Sequence, residues 1–126
     1  MHPPALILET ASFHGGDPGQ LEQIIRRAID LSYAGSKGIK FHPIAADKLA
    51  TQDFFAYPIY QELQISAETW ERLIASAQSL EVWLEMADSH CGEVLFANRD
   101  KVTGIKFQPS MIENSDVLSY IRDSKP

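Results

Sequence analysis

The chain has 126 residues, 44% hydrophobic and 22% charged, a composition that fits one globular domain with a packed core and leaves no length for a second. Seventeen acidic against eleven basic side chains give a net charge of −6, which repels nucleic-acid backbones and anionic membrane surfaces. Its apolar runs, such as Ala5-Leu6-Ile7-Leu8, are far shorter than the roughly 20 residues of a membrane span, no leader precedes them, and the lone Cys91 supports neither an internal disulfide nor a cysteine zinc site, so a cytoplasmic location is expected.

Residues 5 to 11 form a short apolar run closed by the breaker cluster His14-Gly15-Gly16-Asp17-Pro18-Gly19, which reads as a buried strand and a loop. From Leu21, apolar residues recur three and four apart through Ile24, Ile25, Ala28 and Ile29, predicting an amphipathic helix that stops near Ala34-Gly35. Gly38 to Ile44 reads as a second strand. Residues 45 to 58 show no clean period and read as a long loop, with a turn at Tyr60 and Leu63. Ser66 is a natural N-cap for a helix carrying Trp70, Leu73, Ile74 and Ala77 on one face. Val82 to Ala87 is the third strand, Gly92 to Asn98 a short helix, Gly104 to Pro109 the fourth strand, and Asp116 to Arg122 the last helix. Strands alternating with helices predict an α/β fold with a parallel sheet and right-handed crossovers. A complete eight-stranded barrel of this kind needs about 250 residues, twice this length.

Two strands echo each other: Gly38-Ile-Lys-Phe-His-Pro43 and Gly104-Ile-Lys-Phe-Gln-Pro109. The others echo as well, Leu8-Glu9-Thr10-Ala11 with Leu84-Glu85-Met86-Ala87. The pattern is two copies of strand-Glu, helix, strand-Lys, helix, as in an array of βα repeats. Each strand therefore carries one charge near its carboxyl end, in the order Glu9, Lys40, Glu85, Lys106. Ligands of parallel α/β sheets bind at that end, where a lysine suits an anionic substrate and a glutamate can orient hydroxyls or move protons. The structural alternative is a pair of ion pairs, Glu9–Lys40 and Glu85–Lys106, that neutralise themselves.

His14 lies on the first strand-to-helix loop, among glycines that admit a ligand or simply make a turn. His42 follows Lys40 by two and shares its face, because side chains alternate along a strand. Cys91 beside His90 has no partner set for metal or nucleophilic chemistry and reads as a small buried residue, and His2 carries no signal.

The run Leu6-Ile-Leu-Glu9-Thr-Ala-Ser-Phe-His14-Gly-Gly-Asp17, a helix, and Gly38-Ile-Lys40-Phe resembles the amino-terminal half of the sialic acid (N-acetylneuraminate) synthases and their nonulosonic acid relatives. The similarity continues loosely through Tyr60-Gln-Glu-Leu-Gln-Ile-Ser-Ala-Glu-Thr-Trp70 and the Ile105-Lys106 strand with Asn114 and Leu118 behind it. The resemblance implies a TIM barrel that condenses phosphoenolpyruvate with an N-acyl amino sugar using manganese or magnesium. In that pattern the residue matching Glu9 contacts the sugar and those matching Lys40 and Lys106 hold the phosphoenolpyruvate; with the reading of the strands this makes Glu9 and Lys40 the candidate catalytic residues and His14, His42, Glu85, Lys106, Ser110 and Asn114 the candidate substrate-binding residues. The chain departs from the family pattern at Phe13, His42, Met86 and Pro109, the last leaving Ser110 one place late. The family's metal-binding histidines fall beyond the region of resemblance, so no metal ligand set can be assigned to this chain. The expected architecture is a (βα)4 half-barrel over residues 1–126, completed by a second copy as a homodimer or by another half-barrel. It would be inactive alone as a synthase, or would serve as a non-catalytic sugar- or metabolite-binding relative.

Overall fold

In a computed structural model, which describes residues 4–124, the chain forms an α/β layer with four parallel strands in sequential order. The strands are β1 (Leu6–Glu9), β2 (Lys37–Phe41), β3 (Glu81–Met86) and β4 (Gly104–Phe107). The helices are α1 (Pro18–Asp30), α2 (Ala46–Leu49), α3 (Tyr57–Leu63), α4 (Ala67–Ser76), α5 (Ser89–Ala97) and α6 (Ser115–Asp123), with one 3-10 turn at Pro109–Met111. This is the strand order and connectivity of half a TIM barrel. His2 lies outside the described residues, and no helix among them is long and apolar enough to cross a membrane.

One face of the sheet makes the core. Ile39, Phe41, Val82, Leu84 and Met86 alternate toward the helices and are fully buried against Leu21 and Ile25 of α1, Trp70 and Leu73 of α4, and Val94 of α5. Each such aliphatic side chain contributes about 1.5–3 kcal/mol relative to exposure. The other face is more open along β1, where Ile7 and Glu9 are exposed to solvent.

Several boundaries differ from the sequence expectation, each for a local reason. Helix α1 begins at Pro18, because Asp17 accepts from the Gly19 amide at 2.8 Å and proline is preset for the first turn. It ends at Asp30 rather than near Gly35, because the Lys37 ammonium donates to the carbonyls of Ala28, Ile29 and Leu31 and satisfies the helix end. Strand β2 stops at Phe41, ahead of Pro43, which cannot donate to a ladder. The expected long loop after it contains α2, whose start is held by borrowed acceptors: Asp88 accepts from the Ala45 amide at 2.9 Å and Gln64 from the Ala46 amide at 3.0 Å. The expected turn at Tyr60 and Leu63 is helix α3. Helix α5 starts at Ser89, three residues early, on the Asp88 cap. Ser66 caps α4 as expected.

The echo between the two halves has a structural counterpart. Within β1–β2 the register pairs Ile7 with Gly38 and Glu9 with Lys40; within β3–β4 it pairs Trp83 with Gly104 and Glu85 with Lys106. In both, a large side chain lies over a glycine, one layer below a Glu–Lys pair. A Cβ on Gly104 would stand 2.5 Å from the Trp83 ring, so this position admits glycine alone unless the indole moves. The seam between the two halves differs: Lys40 pairs in register with Trp83, so Glu85 stands two residues further along.

Candidate functional site

The four charged residues meet on the open face at the carboxyl ends of the strands. Lys40 Nζ lies 2.9 Å from Glu9 Oε1 and 2.8 Å from Glu85 Oε2. Lys106 Nζ donates to Glu85 Oε1 at 2.9 Å, and Gln108 Nε2 donates to the same oxygen at 2.7 Å. The result is one continuous chain, Glu9–Lys40–Glu85–Lys106, with Gln108 at its end. Both ion pairs of the structural alternative are present, joined by the Lys40–Glu85 bridge that crosses the two-residue stagger.

The chain is buried in the middle and open at its ends. The side chains of Lys40 and Glu85 are 10% and 6% exposed, whereas those of Glu9 and Lys106 are 54% and 53% exposed. Burial alone would raise the Glu85 carboxyl, but the hydrogen bonds from Lys40, Lys106 and Gln108 and the nearby His42 outweigh it and carry the group down to about 2. Burial likewise works against a charged Lys40, and the two carboxylates outweigh it, so its ammonium is held above its ordinary value. An open cleft of about 410 Å³ lies over this chain, lined by Ile7, Glu9, Lys40, Trp83, Ile105 and Lys106.

Two polar atoms beside the charged chain are buried and lack a hydrogen-bond partner: His42 Nε2 and Trp83 Nε1. Burial lowers the His42 pKa in spite of the acidic neighbours Glu85, Asp88 and Glu9, so the ring is neutral at pH 7. His42 and Gln108 occupy equivalent places in the repeat, two residues after their lysines. Gln108 is engaged with Glu85 and His42 is not.

The remaining candidates lie apart from the charged chain. His14 is buried with its ring edge-on to Trp70, and its Nδ1 accepts from the Gly16 amide at 2.9 Å, which fixes the proton on Nε2. Burial first, and His42 second, lower its pKa. Its loop is set by Gly16, whose φ of +83° and close approach to the Glu62 backbone exclude a side chain. Asn114 caps α6 by accepting from the Val117 amide at 3.1 Å, and Ser110 is exposed on the 3-10 turn; neither hydrogen-bonds the charged chain. Cys91 is fully buried, with its thiol pushed well up by desolvation.

Sequence reasoning passed over Gln108, Trp83 and Asp88. Gln108 was visible as the partner of His42 in the repeated strand. Asp88, 1% exposed, ties α5 to the segment after β2 through two backbone amides, and burial nevertheless raises its pKa. Its signal was that of an ordinary helix cap. Among the described residues no group of three or more His, Cys, Asp or Glu side chains is placed to hold a metal ion, so the divalent cation implied by the resemblance has no ligand set here.

No family model and no curated protein sequence matches the chain. Among solved structures, it superposes on a Chromobacterium violaceum ATCC 12472 protein described as spore coat polysaccharide biosynthesis protein E, with a TM-score of 0.76 and 17% identity. The match covers 94% of this chain and 38% of that one, so the chain spans well under half the length of its structural neighbour. At this identity the likeness concerns the fold, and it places the four strands and their helices in the same arrangement as part of a larger protein.

Proposed function

We propose that this chain is a synthase-type half-barrel that binds an anionic, hydroxyl-rich metabolite on the open sheet face, with phosphoenolpyruvate and an N-acyl amino sugar as the pair suggested by its resemblance to the nonulosonic acid synthases. The observation that carries this reading is the Glu9–Lys40–Glu85–Lys106 chain at the carboxyl ends of all four strands, where parallel α/β folds bind ligands. The description of the structural neighbour, a polysaccharide biosynthesis protein, supports the same reading.

The roles divide by exposure. Lys106, half exposed and held by one carboxylate, is the cation free to take a substrate carboxylate or phosphate. Glu9, equally exposed, accepts a sugar hydroxyl. Lys40 and Glu85 are buried and fix the positions of the outer two. His14, Ser110 and Asn114 lie on the segments that follow β1 and β4 and take no role in this division. No step is assigned to a metal ion, because the described residues provide no ligand set.

A second reading has its own support: both lysines are already paired, and the four charges cancel, as a non-catalytic or purely structural ladder would require. Calorimetry separates the two. Binding of phosphoenolpyruvate to the wild-type chain, lost in Lys106→Ala with the circular dichroism spectrum and Tm retained, supports the anion site. Absence of heat with phosphoenolpyruvate and with N-acetylmannosamine, or binding unchanged by the substitution, leaves the structural ladder. Phosphate release with both substrates and manganese then tests catalysis, for the chain alone and together with any second half-barrel.

A further inference from the structure

We infer that residues 46–64, which carry α2 and α3, form a strap that swings away from the carboxyl end of β2 as one unit while the sheet and the other helices stay folded, and that Asp88, Gln64 and His90 are its latch. The motion involves neither end of the chain and does not depend on the ligand proposed above.

The strap leaves and rejoins the domain at one place. The Ala45 amide donates to Asp88 Oδ2 at 2.9 Å, and the next amide, that of Ala46, donates to Gln64 Oε1 at 3.0 Å. At the exit, His90 Nε2 donates to the Ile65 carbonyl oxygen at 3.2 Å. Entry and exit are thus clasped to each other and to the first turn of α5, which Asp88 also caps through the Cys91 amide. A segment whose ends are joined can move without pulling on the chain at either side of it.

Between those ends the strap is packed on itself. Among the described residues, the buried hydrophobic core takes side chains from α1, β2, α4, β3, α5 and α6 and from Ile65, and none from residues 42–64. Within 47–64 only Ala56 and Tyr57 are buried, while Phe54, Phe55 and Ile59 are exposed. The Phe54 ring centroid lies 4.7 Å from that of Phe55 and 6.1 Å from that of Tyr60, the latter pair nearly parallel, so α3 holds the residues that precede it. Toward the β1–α1 loop the strap presents the Glu62 backbone, which rests on Gly16. Few contacts with the core, and anchoring hydrogen bonds gathered at the two ends, put the strap at the low end of the range of local stabilities, well below the sheet. Because it follows directly on the strand of Lys40, its opening changes the approach to the charged chain.

Amide hydrogen exchange of the whole chain, read residue by residue by NMR, tests both the unit and its latch. The hydrogen-bonded amides of Leu49, Ala50 and Tyr60 should share one protection factor, at least about a hundredfold below those of Ile39 and Leu84, and respond little to dilute urea, because the opening exposes little surface. Gln64→Ala removes an exposed side chain outside the core and should speed exchange at all three positions about fivefold, the value of one hydrogen bond, with Ile39 and Leu84 unchanged. His90→Phe, at the other end of the latch, should speed the same three amides relative to Ile39. Equal protection in strap and sheet overturns the inference, as does a response to Gln64→Ala that is confined to α2 or shared by the strands, or exchange in the strap that neither substitution moves.

Discussion

Strands β2 and β4 carry the same four residues, Gly-Ile-Lys-Phe, and place them in opposite surroundings. In β2 the lysine is 10% exposed and clamped between two carboxylates; in β4 it is 53% exposed and holds one. Nothing in the tetrapeptide accounts for this. A central strand has neighbours on both sides and an edge strand has one, so identical local chemistry yields a buried structural ion in one place and an accessible one in the other. The charge that stabilises the domain and the charge available to a ligand are thus the same residue type at two positions in the sheet.

Substitutions should expose the difference in order of burial. Glu85→Ala removes the acceptor shared by Lys40, Lys106 and Gln108 and strands a buried lysine with one half-exposed partner; we expect a loss of about 5 kcal/mol by urea denaturation, enough to unfold many domains of this size. Lys40→Ala should cost about 3 kcal/mol, since Glu85 keeps its two other donors. Lys106→Ala should cost at most about 1 kcal/mol, as for an exposed pair, while abolishing any anion binding. Equal losses at Lys40 and Lys106 would break the comparison.

Acidity provides a further test. Glu85 is held at about 2 in the folded chain, below its ordinary value, so its contribution is complete above pH of about 4.5 and is lost as the pH falls toward 2. His42 and His14 have folded values below the ordinary one, so the unfolded chain takes up their protons first and stability declines as the pH drops below about 6.5. A thermal melt at pH 5.5 should therefore lie below that at pH 7.5. Placing the β4 residue in β2, His42→Gln, should reduce the gap, and an unchanged gap would assign it to other groups.

Much of the fold was legible because its signals are local. The alternation of short apolar runs with amphipathic stretches specified four strands and the helices α1, α4, α5 and α6, and Ser66 announced its helix. Helix α2 was not legible, because Asp88 and Gln64, distant in sequence, accept from the Ala45 and Ala46 amides at its start, and α3 was not, because no side-chain cap announces it. The candidate site divides in the same way. Its four charges stood out as costly residues in apolar strands, and the period of two put Lys40 and His42 on one face. Asn114 matched by resemblance and Ser110 fell one place late; they are taken up in a helix cap and a surface turn.

The sequence by itself determined which residues would lie along each strand and which face each would take, since periodicity and turn chemistry act within a few residues. Only the tertiary structure decided that Lys40 would bind two carboxylates and Lys106 one, that Gln108 would join them while His42 would not, and that the two halves would meet with a two-residue stagger. Those outcomes depend on the order and register of strands, which are set by how side chains some 40 residues apart pack across the sheet.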